Sequence, residues 1–218
     1  MKNTYFEEQD MTEIQNKIWE KSPSQVFWGE IATFDHTVQI YENDKVFLNT
    51  LESFAGAGLI AGDSVIIIAT AEHLQALKDR LSRHGFNMSF LESAGRFIGL
   101  DATDTLNRFM VNGIPDKTLF TECITQLIRH AKTASGRFRA FGEMVAVLWK
   151  QGAQEAAMKL EEFWNGLHSQ DKFTLFCAYP KAGFTSDTTG EIKTVCCAHS
   201  KVIDGAPRPS TEVYYRSA

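Results

Sequence analysis

Long apolar runs are missing from this chain: stretches such as Val65 to Ala69 stop far short of the roughly 18 residues that a membrane-spanning helix needs. A basic block is missing too. With 22 Lys and Arg against 27 Asp and Glu, a formal charge of -5, no segment is suited to tracking a phosphate backbone, and direct nucleic-acid binding is not expected. Paired cysteine motifs are absent: Cys123, Cys177 and the neighbours Cys196 and Cys197 form no C-x-x-C framework and read as reduced thiols. Met1 to Glu20 mixes charged and apolar residues without a signal-peptide core, which points to a cytoplasmic protein. Nor is there a glycine-rich phosphate loop of the form G-x-x-x-x-G-K-[ST] or G-x-G-x-x-G.

What is present suffices for one substantial core, since 44% of the 218 residues are apolar. Residues 1–24 read as a short helical arm with Met11, Ile14 and Ile18 or Trp19 on one side; residues 25–204 form the globular body; residues 205–218, with Pro207 and Pro209, read as an extended tail. Within the body, Thr37 to Glu42 alternates as a strand, and a helix follows from about Asp44, capped by Asn43 or Asp44 and ended by Gly56 and Gly58. Ser64 to Thr70 is a buried strand, Ala71 to His84 an amphipathic helix, and Arg96 to Leu100 a strand that delivers Asp101. Asp104 to Asn112 reads as helix, Pro115 as the opening of a longer helix stopped by Gly136, and Phe138 to Phe141 as another strand, with Glu143 just beyond it. A helical stretch through Trp149, a helix over 153–168, a strand Phe173 to Ala178 and a last helix over 189–203 complete the pattern. Short buried strands alternating with helices predict an α/β fold: a mostly parallel, doubly wound sheet with helices on both faces.

In such a sheet, ligands bind beyond the carboxyl ends of the strands. His36, Tyr41, Glu42, Thr70, Glu72, His73, Asp101, Phe141, Glu143 and Tyr179 fall near strand ends and are the candidate ligand-binding residues. Several also suit plainer roles, Thr70 as an N-cap and Glu72 in the first turn of a helix. Glu143 is the strongest candidate, because it precedes the apolar run Met144 to Leu148 and needs an opening or a partner such as Arg139. His36, His73, His199, Cys177 and Cys196 offer metal-ligand atom types, yet without H-E-x-x-H or paired cysteines no metal and no cofactor is expected.

Five phrases taken together carry a family resemblance: His36-Thr37-Val38-Gln39-Ile40-Tyr41-Glu42, Gly58-Leu59-Ile60-Ala61-Gly62-Asp63, Leu100-Asp101-Ala102, Arg139-Ala140-Phe141-Gly142-Glu143-Met144-Val145 and Phe176-Cys177-Ala178-Tyr179-Pro180. Over roughly Gly29 to Ile203 the chain resembles the MEDS domain, the methanogen and methylotroph sensory domain of DcmR-type regulators. The resemblance implies a sensor of small molecules, proposed to be simple hydrocarbon derivatives, on a fold similar to the KaiC and RecA ATPase core. It also implies a degenerate phosphate loop: after the strand ending at Ala69 the chain has Thr70-Ala71-Glu72-His73, and Glu143 stands beyond the strand in the Walker B position.

The reading is therefore a non-hydrolytic sensory domain of signal transduction or transcriptional regulation, with a small-molecule ligand, no cofactor, no membrane and no direct nucleic acid. A histidine kinase or regulator, or a second copy of the chain, is the expected route of output. One alternative is an enzyme of nucleotide-hydrolase or other hydrolase type using Glu143 and a histidine. Another is a scaffold or interaction module for a signalling kinase.

Overall fold

The computed structural model describes residues 27–184, 188–205 and 213–215. The expected helical arm over 1–24 lies outside these residues, as does most of the expected tail. A short helical turn, Phe27–Ile31, leads into strand β1, His36–Tyr41. Helix α1, Asp44–Ile60, follows, then β2, Ser64–Ala69, and helix α2, Ala71–Arg83. Next come the short helix α3, Met88–Ser93, strand β3, Phe97–Asp101, and helix α4, Ala102–Leu106. The small strands β4, Met110–Val111, and β5, Ile114–Pro115, precede the long helix α5, Lys117–Ser135, and strand β6, Phe138–Gly142. Helices α6, Met144–Lys150, and α7, Gln154–Gln170, lead to β7, Thr174–Pro180. Helix α8, Thr188–Cys197, and strands β8, Lys201–Gly205, and β9, Val213–Tyr215, close the described chain.

The main sheet runs β3-β2-β6-β7-β1-β8-β9, parallel throughout except for β9, which pairs antiparallel with β8. Strand β2 shows why it sits near the middle: Ser64-Val65-Ile66-Ile67-Ile68-Ala69 is buried at every position, as a β-branched run covered on both faces must be. Successive side chains point to opposite faces. Val65, Ile67 and Ala69, with Phe141 and Phe176, pack under α1 and α2, whereas Ile66, Ile68, Val38, Cys177 and Tyr179 pack with the buried faces of α4 to α7. Burial of these apolar faces contributes about 25 cal/mol per Å2.

Three local expectations give way. The helix after β1 runs through Gly56 and Gly58 to Ile60, because Gly58 serves close packing: a Cβ there would sit 2.4 Å from Arg139 Nε. The expected helix over 104–112 shrinks to α4, since Asn112 and Gly113 take positive φ and turn the chain into the hairpin β4-β5. The expected helix over 189–203 ends at Cys197 and its last part becomes β8, buried on β1 through Val38↔Val202 and its neighbours.

Connections leave the strand ends in two directions. Those after β1 and β2 enter α1 and α2 on one face, whereas those after β6 and β7 lead to helices on the other, and these four strands are neighbours. Where adjacent connections part, a crevice must open at the carboxyl edge of the sheet.

Candidate functional site

That crevice is a cleft of about 360 Å3 whose polar lining comes from all sides: Tyr41 from the end of β1, Asp44 from the start of α1, Thr70, Glu72 and His73 from the start of α2, and Glu143 from the end of β6. Ala146, Val147 and Lys150 of α6, with Pro180, Ala182 and Gly183 after β7, close the far wall. The volume lies within the range of small-ligand sites.

Glu143 is the hub. Its own N–H donates to Ile68 O at 2.8 Å, holding the start of α6 against the end of β2. Its carboxylate then accepts from the Thr70 backbone N–H through Oε2 at 2.8 Å and from His73 Nδ1–H through Oε1 at 2.8 Å. Glu143 does not meet Arg139; that guanidinium is buried at the opposite edge, donating to Asp63 Oδ2 at 2.7 Å, where burial lowers its pKa against the opposing pull of Asp63.

Of the helix N-termini at the cleft, those of α1 and α2 are already capped by side chains, whereas that of α6, behind Glu143, is not. On α1, Val46 N–H donates to Asn43 Oδ1 at 3.1 Å; on α2, His73 N–H donates to Thr70 Oγ1 at 3.4 Å. In doubly wound folds the phosphate-binding turn is commonly the first strand-to-helix turn, here Glu42 to Asp44 rather than the Thr70 to His73 turn to which the sequence pattern assigns it. Neither turn has the glycines that let backbone N–H groups surround an anion, and at Thr70 the N–H is taken by a carboxylate.

Burial pulls the His73 imidazole down, but the hydrogen bond and charge of Glu143, joined by Asp44 and Glu72, outweigh it and raise the pKa. Nε2 of His73 lies 3.8 Å from Asp44 Oδ1 at the cleft. Tyr41, stacked on Phe47 at 4.8 Å, has its hydroxyl pKa raised by burial and by Glu143 and Asp44, so it stays a donor. The arrangement offers a carboxylate, an imidazole oriented by it, a phenol and an apolar wall. Such a set can hold a neutral or cationic molecule, or move a proton through His73.

Five of the ten sequence candidates, Tyr41, Thr70, Glu72, His73 and Glu143, come together here. Glu42 lies beside them on the exposed rim, paired with Lys181 Nζ at 2.9 Å. Asp101, at the end of the edge strand β3, caps α4 by accepting from Asp104 N–H at 2.9 Å. Phe141 lies in the packed layer under α1, 5.6 Å from the Phe47 ring. His36 begins β1, about 17 Å along the strand from Tyr41 at the usual rise per residue. Tyr179 falls inside β7, completely buried, and its hydroxyl donates to Glu161 Oε1 at 2.7 Å on the opposite face of the sheet. Asp44 and Lys150 were missed: one opens a helix as an ordinary first-turn acid beside its cap Asn43, the other ends one.

A second polar group is sealed inside. His36, Glu161, Cys177 and His199 are all buried, with one ligand-type atom of each lying within 4.8 Å of the others. Glu161 was legible in outline, since it shares the buried face of α7 with Ala157, Leu160 and Trp164.

The family model of the methanogen/methylotroph, DcmR sensory domain matches residues 35–200. Among solved structures, the chain is similar to a KaiC-like protein of the hyperthermophilic archaeon Pyrococcus horikoshii OT3, at 14% identity and a TM-score of 0.52, over 84% of this chain and 78% of that one. Such a likeness speaks of fold alone, and it agrees with the KaiC and RecA-like architecture expected. No curated protein matches. No helix among the described residues is long and apolar enough to cross a membrane.

Proposed function

Because this chain belongs to the methanogen/methylotroph, DcmR sensory domain family, which suggests a role in signalling, we propose that the carboxyl-edge cleft is its sensing site and takes a small neutral or cationic molecule. Simple hydrocarbon derivatives are the class that this reading favours. The observation that carries it is the Glu143 carboxylate in the cleft, accepting from the Thr70 N–H at 2.8 Å, in a crevice whose turns lack the glycines that would surround a phosphate. With Asp44 and Glu72 also lining the cleft and Lys150 as its lysine, anions are repelled and cations or dipoles drawn in.

Ligand binding would act by population shift. The wall from Pro180 to Gly183 leads into α8, so a ligand that prefers one position of this segment biases the placement of that helix. A partner kinase, a regulator or a second copy of the chain would read that bias, within the cytoplasm.

A thermal-shift series tests the reading: short alcohols, halogenated alkanes and methylated amines, each against the full-length chain and against Val147→Trp, which fills the cleft wall. At least one class raises the melting temperature of the parent and leaves the variant unmoved. Shifts that survive Val147→Trp count against the cleft.

The His73–Glu143 pair also favours a second reading, general-base catalysis by an imidazole oriented through Nδ1. Turnover of a bound ligand that disappears in Glu143→Gln, with binding retained, would establish it.

A further inference from the structure

We propose that His36, Glu161, Cys177 and His199 form a structural site for a divalent transition metal, zinc being the ion that their chemistry fits best. The ligand set is built across the fold: His36 opens β1, Cys177 lies in the middle of β7, Glu161 projects from α7, and His199 follows α8 just before β8. Two imidazoles, a thiolate and a carboxylate are donors that zinc accepts, and the two anions balance its charge inside a core that tolerates no net charge.

The distances are near those of a shared ion, with both Glu161 oxygens facing the group. Ordinary zinc bond lengths require neighbouring ligand atoms about 3.3 to 3.6 Å apart. His36 Nε2 lies 3.4 Å from Cys177 Sγ and 3.5 Å from Glu161 Oε2. Cys177 Sγ lies 3.8 Å from Glu161 Oε2, and His199 Nε2 lies 3.4 Å from Glu161 Oε1. The His36 and His199 rings are 4.2 Å apart between centroids.

Orientation is the stronger argument. His36 Nδ1–H donates to Asn165 Oδ1 at 2.9 Å, and Asn165 is held in turn by its Nδ2–H donating to Ala198 O at 3.1 Å. His199 Nδ1–H donates to Val195 O at 2.8 Å. Both rings thereby aim the lone pair of Nε2 at one point, the arrangement in which outer hydrogen bonds set up metal-binding imidazoles. His199 Nε2 is buried and has no hydrogen-bond partner, although it faces a carboxylate oxygen. Two lone pairs directed at a carboxylate repel unless something positive sits between them.

The surrounding electrostatics agree. Burial, with His199 beside it, depresses the His36 pKa to about 3, which keeps the ring neutral and able to ligate. Burial would raise the Glu161 pKa, but positive charge and a hydrogen bond from the side of His199, charge at His36 and the Tyr179 hydroxyl bring it down to about 2, so the carboxylate is held ionised by a positive group between it and the rings, a proton on His199 or a metal ion. Cys177 is pushed well up by burial and by Glu161, so metal entry must displace the thiol proton, and affinity rises with pH. With all four positions filled by protein, the ion would staple β1, β7, α7 and the α8–β8 turn together.

The full-length chain, refolded with cobalt(II) as the spectroscopic probe, decides the matter. One equivalent binds, with the strong visible bands of tetrahedral cobalt and a thiolate charge-transfer band in the near ultraviolet. Cys177→Ser removes the charge-transfer band, His199→Ala weakens binding tenfold or more, and the triple variant Cys123→Ser, Cys196→Ser, Cys197→Ser keeps the spectrum. Zinc raises the melting temperature and a chelator reverses the rise. Absence of stoichiometric cobalt and zinc binding in the refolded parent would overturn the proposal, leaving a proton-bridged network. So would a charge-transfer band that survives Cys177→Ser and vanishes in the triple variant.

Discussion

Glu143, at the N-cap of α6 after β6, and Glu161, within α7 before β7, are both glutamates set beside histidines, yet they lead opposite lives. The His73–Glu143 pair borders a cleft, with side chains 13% and 6% exposed, while Glu161 with His36 and His199 is closed off, at 1%, 3% and 0%. The difference lies in topology. Connections part above β2 and β6 and leave room for solvent, whereas the middle of β1 and β7 under α7 leaves none. Similar chemistry therefore borders an open cleft in one place and is sealed inside the core in the other.

The largest contrast is expected on removing each carboxylate. Glu161→Ala should cost about 3–5 kcal/mol in urea unfolding, because it leaves buried partners of a charge without it. Glu143→Ala should cost about 1–3 kcal/mol, the penalty of a stranded Thr70 N–H partly relieved by water from the cleft. Equal losses, or the reverse order, would break the distinction between sealed and open groups.

Next come the caps beside the cleft. Asn43→Ala should lower stability by about 1 kcal/mol and Thr70→Ala by less, since the Asn43 bond measures 3.1 Å and the Thr70 bond 3.4 Å. Thermal unfolding of the two variants ranks them; the opposite ranking would show that Thr70 matters beyond its cap.

The smallest effect is the pH dependence of His73. Its pKa in the folded chain is raised above the ordinary value of about 6.5, so the stability it contributes is fully present below that value and is lost as pH rises through the folded pKa. The melting temperature of the parent relative to His73→Gln should therefore be highest below the ordinary histidine pKa and fall as the pH is raised above it. A constant difference would mean that the imidazole proton does nothing for the fold.

Much of this architecture was legible in the chain. The fully apolar run from Val65 to Ala69 and the 3.6-residue stripe of α5, Phe120, Ile124 and Ile128, announce a covered parallel sheet without further help. Glu143 stood out because a charge ahead of an apolar run needs a partner, and it found two. Asn112-Gly113 carried a hairpin signal that the helical pattern around it obscured. The buried cluster was not legible as a unit: His36, Cys177 and His199 looked like scattered donors, since their meeting depends on strand register and on Glu161 reaching in from α7. Tyr179 was expected past the end of its strand, but β7 extends to Pro180 and turns the ring toward Glu161.

The central claim is that the carboxyl-edge crevice of this KaiC-like fold holds its own carboxylate, Glu143, and lacks the glycine turns that surround a phosphate. Calorimetric titration of ATP with magnesium into the full-length chain tests it most directly. The account predicts no saturable heat and no rise in melting temperature. Saturable binding that Glu72→Lys strengthens and a tryptophan at Val147 abolishes would contradict it, for the nucleotide would then occupy the crevice assigned to another class of ligand.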